Sequence, residues 1–201
     1  MTIVPGTRGY ENVIERFLAC SRQLNFRDIN QDFLQFLPSI GSRILDLGSG
    51  AGQNAAELAR MGYSVVAVEP FIPFFESART NYSSLDILWI NDSLPLLEKL
   101  HNEKPFEFIL LDAVWHHLDQ TEREIFLSRL DPLMAENGIC ALSLRHGPAG
   151  AGKHVFAIND DKLCSIIHKF GFRKLLHLRN QSSFMKNKPN VSWSRIAFQK
   201  Q

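Results

Sequence analysis

Cysteine is scarce in this 201-residue chain: Cys20, Cys140 and Cys164 are odd in number, far apart, and form no C-x-x-C pair. That excludes a disulfide scaffold, offers no metal-binding spacing, and reads as reduced thiols of an intracellular protein. No metal is expected. No apolar run approaches the ~20 residues a membrane span requires, and Met1-Thr-Ile-Val-Pro-Gly lacks the basic and apolar regions of a secretory leader. The expected compartment is the cytoplasm, without a membrane partner, so the sequons at Asn81, Asn91, Asn180 and Asn190 carry no weight. Repeats and low-complexity segments are absent. With 45% hydrophobic and 21% charged residues and only 12 Gly and 9 Pro, the composition excludes collagen-like and disordered chains. A chain of this length reads as one domain, able to bury roughly 70% of its unfolded surface.

Net charge is also nearly absent: 22 Lys+Arg against 21 Asp+Glu give +1. The balance conceals an asymmetry. Residues 1–161 carry 13 basic and 21 acidic side chains, whereas residues 162–201 carry nine basic and no acidic ones.

From Arg43 onward, short aliphatic runs alternate with segments of helical periodicity. Strands are expected at Arg43–Leu47, Ser64–Val68, Asp86–Trp89, Phe106–Leu111 and Ile139–Leu144, with helices near 53–61, 71–82, 94–101 and 119–134. Such alternation predicts an α/β fold with right-handed crossovers and a parallel sheet covered on both faces. A glycine-rich loop (His146–Lys153), a helix near 159–169, a strand near 173–178 and a last strand at Ser192–Phe198 follow, the final two forming an antiparallel edge hairpin. Residues 1–40 hold amphipathic stretches near 10–23 and 28–37, read as a helical cover or lid over a core at 41–201.

The strongest motif is Ile44-Leu-Asp46-Leu-Gly48-Ser49-Gly50-Ala-Gly52, a strand entering three alternating glycines and then a helix. Such glycines let backbone approach a ligand closely, although the same turn also serves a purely structural role. Gln53 breaks the G-x-G-x-x-G spacing of dinucleotide folds. Asp46 would repel a pyrophosphate but suits a ligand carrying an amino group, such as S-adenosylmethionine. Glu69, ending the second strand 21 positions after Gly48, can accept both hydroxyls of a ribose. Asp92 and Ser93 are placed to meet an adenine edge, with capping of the helix from Leu94 the close alternative for Asp92; Pro70 and Phe71 could pack on the adenine or ribose.

In this order, and with Phe108-Ile-Leu-Leu-Asp112-Ala113-Val-Trp115-His116-His117-Leu, these residues resemble the class I (Rossmann-like) S-adenosylmethionine-dependent methyltransferases over about residues 40–201. The resemblance implies a three-layer α/β/α sandwich whose seven-stranded sheet runs 3-2-1-4-5-7-6 with strand seven antiparallel. It implies S-adenosylmethionine as cofactor, S-adenosylhomocysteine as product, and no metal. Asp46, Gly48, Ser49, Gly50 and Gly52 would hold the methionine part, Glu69 the ribose, Asp92 and Ser93 the adenine, and Asp112, Ala113 and Val114 the wall near the sulfur.

The methyl acceptor should lie outside the carboxyl ends of the strands. There His116, His117 and His146 are candidate general bases, with His116 and His146 preferred, and Trp115, Arg145 and Lys186 candidate acceptor contacts, with Tyr10 contributed by the lid. Methyl transfer also proceeds without a base where approach is in line and water is excluded. Gly147-Pro-Ala-Gly-Ala-Gly152-Lys153 imitates a phosphate loop, but His154 replaces the required Ser or Thr and Pro148 removes a donor. The Asn-Pro-Pro-aromatic tetrapeptide of many amino-directed methyltransferases is missing after strand four, where Asp112-Ala-Val-Trp115 stands. The expected acceptor is a small or medium molecule bearing a carboxylate or phosphate, because the basic last loop, with Arg179, Lys186 and Lys188, should border the site; RNA and protein acceptors stay open. A non-catalytic cofactor-binding partner is the second reading, and an NAD(P)-dependent oxidoreductase, disfavoured by Asp46 and Gln53, the third. Oligomeric state leaves no mark in the sequence.

Overall fold

A computed structural model describes residues 4–185, 188 and 190–201. Seven strands, β1 (Arg43–Leu47), β2 (Ser64–Val68), β3 (Ile87–Ile90), β4 (Phe106–Asp112), β5 (Met134–His146), β6 (Arg173–Ser182) and β7 (Ser192–Gln199), form one sheet. Their order is β3-β2-β1-β4-β5-β7-β6, with β7 antiparallel to both neighbours and the remaining pairs parallel. This is the Rossmann-like order that the resemblance implied.

Alternation along each strand divides the apolar residues between two faces. Leu45, Leu47, Ile109, Leu111, Leu142 and Leu144 pack beneath α5 (Gln120–Leu133) and α6 (Asp160–Lys169), whereas Ile44, Phe108, Leu110 and Ala141 pack with Phe33 and α3 (Gln53–Arg60). Helix α4 (Ile72–Asn81) contributes Phe74 to a third cluster with Leu18 and Ala51, joining the N-terminal segment to the glycine turn. Helix α5 begins at a capping box: the Asp119 carboxylate accepts the Glu122 amide, and the Glu122 carboxylate accepts that of Asp119.

Three expectations change. The segment 94–101 is a chain of turns with one 3-10 turn at Glu98–Leu100; Pro95 disfavours a helical Leu94, and Leu97 adopts a left-handed φ of 50°. Residues 10–23 and 28–37 break into α1 (Ile14–Arg22), α2 (Phe26–Ile29) and 3-10 turns at Tyr10–Asn12 and Gln31–Phe36. Strand β5 starts at Met134, directly after α5.

Candidate functional site

At the carboxyl ends of β1, β2 and β4, the glycine turn, the N-terminal segment and the β6–β7 connection enclose a cavity of about 580 Å³. Gly48, Gly50 and Gly52 all have positive φ (70°, 55° and 82°), which explains the glycine at each position. Only the first two line the cavity. A Cβ on Gly52 would meet Trp89 at 2.7 Å and Ala78 at 2.9 Å, so Gly52 seats the turn against α4 and is not a contact residue.

The turn's amides are largely committed. Gly48 and Ser49 donate to the Val68 carbonyl, Gly52 donates to that of Ser49, and Gly50 donates to the Glu69 carboxylate. With these four amides spent on the protein, the turn is poorly suited to cradle a pyrophosphate. Glu69 is buried and also accepts the Phe71 amide at 2.8 Å. Burial raises its carboxyl to about 7 against the opposing effect of those two donors. Each of its oxygens keeps a lone pair for a ligand hydroxyl.

Asp46 is 1% exposed, and its Oδ2 has no partner. Burial, followed by the neighbouring Asp112 and Glu69 charges, raises it to about 8. Asp112, at the end of β4, accepts Asn54 Nδ2 at 3.2 Å and the Ser143 hydroxyl. Beyond it stands Arg195, 4% exposed, 3.9 Å from Asp112 and 4.0 Å from Asp32, with Nη1 unpartnered. Asp112 pairs with Ser143 on β5 and Ser143 with Arg195 on β7, which sets the three side chains in one row.

On the opposite wall, His117 Nδ1 lies 2.8 Å from the His154 carbonyl. A carbonyl only accepts, so Nδ1 carries the proton and Nε2 accepts from the Tyr10 hydroxyl at 3.1 Å. Burial, and secondarily Glu69, pushes the Tyr10 phenol up to about 12. The N-terminal segment is fixed further where the Lys153 amide donates to the Arg8 carbonyl. His116 is buried, its Nδ1 has no partner, and burial lowers it to about 2, so its imidazole stays neutral.

Much of the remaining cavity wall is apolar, with Phe17 against the glycine turn and Leu24, Phe184, Met185 and Trp193 beyond it. Two cations enter this part, Arg145 from the end of β5 and Lys188 from the β6–β7 connection. Neither forms an ion pair with a carboxylate among the described residues. Lys188 is depressed first by burial and then by Arg145. Two other basic residues of the C-terminal region differ: Arg179 pairs with Asp160 and Asp161, and Lys200 with Asp131 and Glu136. With Arg195, which lies near Asp32 and Asp112, three of the nine basic residues of 162–201 are thus matched by acids from earlier in the chain.

Several expected contacts are corrected by where the side chains go. Trp115, 2% exposed, packs edge-on against Phe126 in the core and does not line the cavity. His146 turns away toward Ser194 Oγ (2.9 Å) and Asp160 Oδ1 (3.3 Å), because it follows the cavity-facing Arg145 along a strand. The Asp92 carboxylate is used locally by the Ser93 and Lys99 amides; Ser93 itself lines the cavity, as do Pro70, Phe71, Asp112 and Ala113. Arg179 faces Asp160 and not the acceptor space. Lys186 lies outside the described residues. Lys153 is followed by chain without regular structure as far as Asn159, so the apparent phosphate loop opens no helix. Among the described residues, no group of three or more His, Cys, Asp or Glu side chains could hold a metal ion, and no helix is long and apolar enough to cross a membrane.

The sequence had not singled out Arg195 or Asn54. The one available signal for Arg195 was a charged residue inside the apolar run Ser192–Phe198, the pattern of a buried cation with partners.

Comparison with known proteins gives a consistent picture. Residues 44–138 match the family model described as a methyltransferase domain. A ubiquinone biosynthesis O-methyltransferase of Rickettsia typhi is 32% identical over 101 residues, 50% of this chain and 40% of that protein. An uncharacterized methyltransferase of Mycobacterium tuberculosis is 34% identical over 110 residues, 52% of this chain and 54% of its own. The chain thus spans about half the length of these curated relatives. Among solved structures, a TehB-like S-adenosylmethionine-dependent methyltransferase from Corynebacterium glutamicum superposes with a TM-score of 0.67 at 18% identity, covering 97% of this chain and 98% of that one. The 1,6-didemethyltoxoflavin-N1-methyltransferase of Burkholderia thailandensis, solved with its substrate and S-adenosylhomocysteine, gives 0.65 at 16% identity, covering 100% of this chain and 92% of its own.

Proposed function

Because residues 44–138 match the methyltransferase domain family model, we propose that the chain transfers a methyl group from S-adenosylmethionine to a small or medium anionic acceptor. One observation carries this reading. Of seven buried side-chain polar atoms without a partner among the described residues, four (Ser49 Oγ, Gln53 Oε1, His116 Nδ1 and Arg195 Nη1) belong to residues lining one cavity, and Asp46 Oδ2 lies in the strand beneath its glycine turn. Each such atom left unpaired costs about 1–3 kcal/mol, so their convergence favours a polar ligand.

The residues fit that cofactor. Glu69 has lone pairs for a ribose diol, Ser93 and Phe71 border space for an adenine, and Asp46 and Asp112 supply negative charge for an ammonium group. The committed amides of the glycine turn argue against a dinucleotide. When bound, the cofactor supplies a methyl group on a positively charged sulfur. The chain's own residues orient and desolvate. The aromatic wall of Phe17, Phe184 and Trp193 excludes water, Arg145 and Lys188 attract the acceptor's anion, and neutral His116 offers Nδ1 to an acceptor O–H or N–H. An imidazole lowered so far is a hydrogen-bonding guide and a poor proton store.

Calorimetric titration with S-adenosylhomocysteine tests the reading: one-site saturable binding is expected, and no heat at millimolar ligand would refute it. Binding without methyl transfer to any compound in a broad acceptor screen would favour a non-catalytic partner instead.

A further inference from the structure

We propose that Arg195 is the carboxylate-binding half of an amino-acid clamp: Nη1 takes the α-carboxylate of the bound cofactor, while Asp46, Asp112 and Gln53 face its ammonium group. The inference rests on the cofactor reading above.

Arg195 is placed as a ligand group and not as a finished ion pair. Its nearest carboxylate atoms, on Asp112 and Asp32, are 3.9 and 4.0 Å away, beyond hydrogen-bond reach, and Nη1 has no acceptor. Removing one N–H of a guanidinium from water without an acceptor is costly. The side chain is nevertheless held in position, with its guanidinium carbon 5.4 Å from the Trp193 ring centroid and 5.9 Å from that of Phe33. Aromatic faces fix a guanidinium in place without supplying the in-plane acceptor that its N–H groups need.

The local charge pattern selects the occupant. Asp112 and Asp32 flank this one cation at 3.9 and 4.0 Å, so a simple anion would meet two like charges for each opposite one. A zwitterionic amino acid would find both ends matched. Unpartnered Gln53 Oε1 and Asp46 Oδ2 are acceptors suited to an ammonium, and Arg195 Nη1 is the donor suited to a carboxylate. Arg145 and Lys188, in the outer part of the cavity, leave the acceptor's own anion a separate pair of cations.

The test compares calorimetric affinities for S-adenosylhomocysteine and its decarboxylated analogue, which keeps the amine. Wild-type protein should prefer the carboxylate-bearing ligand by about tenfold to a hundredfold, the range of one charge-assisted hydrogen bond. Arg195→Met should bring the two affinities within about threefold of each other by removing the partner from the cycle. Arg195→Lys should give an intermediate ratio, because a shorter ammonium cannot reproduce the guanidinium fork. A wild-type ratio near one overturns the proposal even if neither variant folds, and so does an undiminished ratio in a folded variant. If wild-type protein binds neither ligand, the cofactor reading itself fails, an outcome distinct from equal binding of both.

Discussion

Glu69 reaches from the end of β2 to accept the Gly50 amide at 2.8 Å, so the side chain assigned to the ribose also holds the glycine turn in shape. Its other oxygen takes the Phe71 amide. Glu69→Ala should therefore damage fold and ligand site together. Two amides lose their acceptor, at a cost of about 1–3 kcal/mol in urea denaturation, and affinity for S-adenosylhomocysteine should fall at least tenfold. Unchanged affinity in the folded variant would remove Glu69 from the site.

Asp46 and Glu69 make an unusual contribution to stability against pH. Burial raises both in the folded chain, to about 8 and about 7, above the usual carboxylate range of the unfolded chain. The folded form therefore holds more protons between about pH 4 and pH 8, and the stability these groups provide in acid is lost as pH rises through that window. Asp46→Asn, which cannot ionise, should melt higher than wild type at pH 8, with the gap closing toward pH 4. A cationic ligand beside Asp46 should also release a proton on binding at pH 7. Calorimetry in two buffers of different ionisation enthalpy measures that release, and equal heats in both would contradict it.

How much of this was legible in the sequence depended on whether a signal was local. Arg43–Leu47 and Ser64–Val68 are apolar runs with sharp boundaries, and their observed limits coincide with the expected ones. Helix α5 was marked by its apolar spacing. Residues 94–101 carried leucines at helical spacing, but Pro95 and the turn at Leu97 prevailed. The site failed to read out where facing matters. Arg145 and His146 are adjacent, yet strand alternation sends one into the cavity and the other to Asp160; Trp115 enters the core while His116 and His117 line the cavity. Arg195 became part of the site only through the β5–β7 register, a long-range property that residue spacing does not encode.

Gly48 tests the steric argument for the turn. A Cβ there would stand 2.4 Å from Val114 Cγ2, on a backbone with φ of 70°. Gly48→Ala should cost about 2 kcal/mol or more, combining a core-like overlap with about 1 kcal/mol of left-handed strain. Adding Val114→Ala should recover the overlap component and leave the strain. Strict additivity of the two substitutions in chemical denaturation would show that the contact is not made.

Arg145 and Lys188 bear on the acceptor. They face an apolar space without a carboxylate partner among the described residues, and each is lowered chiefly by burial. An anion placed between them would relieve their mutual repulsion. With S-adenosylhomocysteine saturating, small aromatic carboxylates should raise the melting temperature more than their uncharged esters do. The difference should shrink as ionic strength rises, as screening requires for partly exposed charges. Arg145→Ala/Lys188→Ala should abolish the preference for carboxylates while leaving S-adenosylhomocysteine affinity within about twofold, since these residues stand apart from the cofactor groups and distant sites act additively. Esters that stabilise as well as carboxylates, or a double variant that still discriminates, would show that the acceptor is chosen by the apolar wall alone.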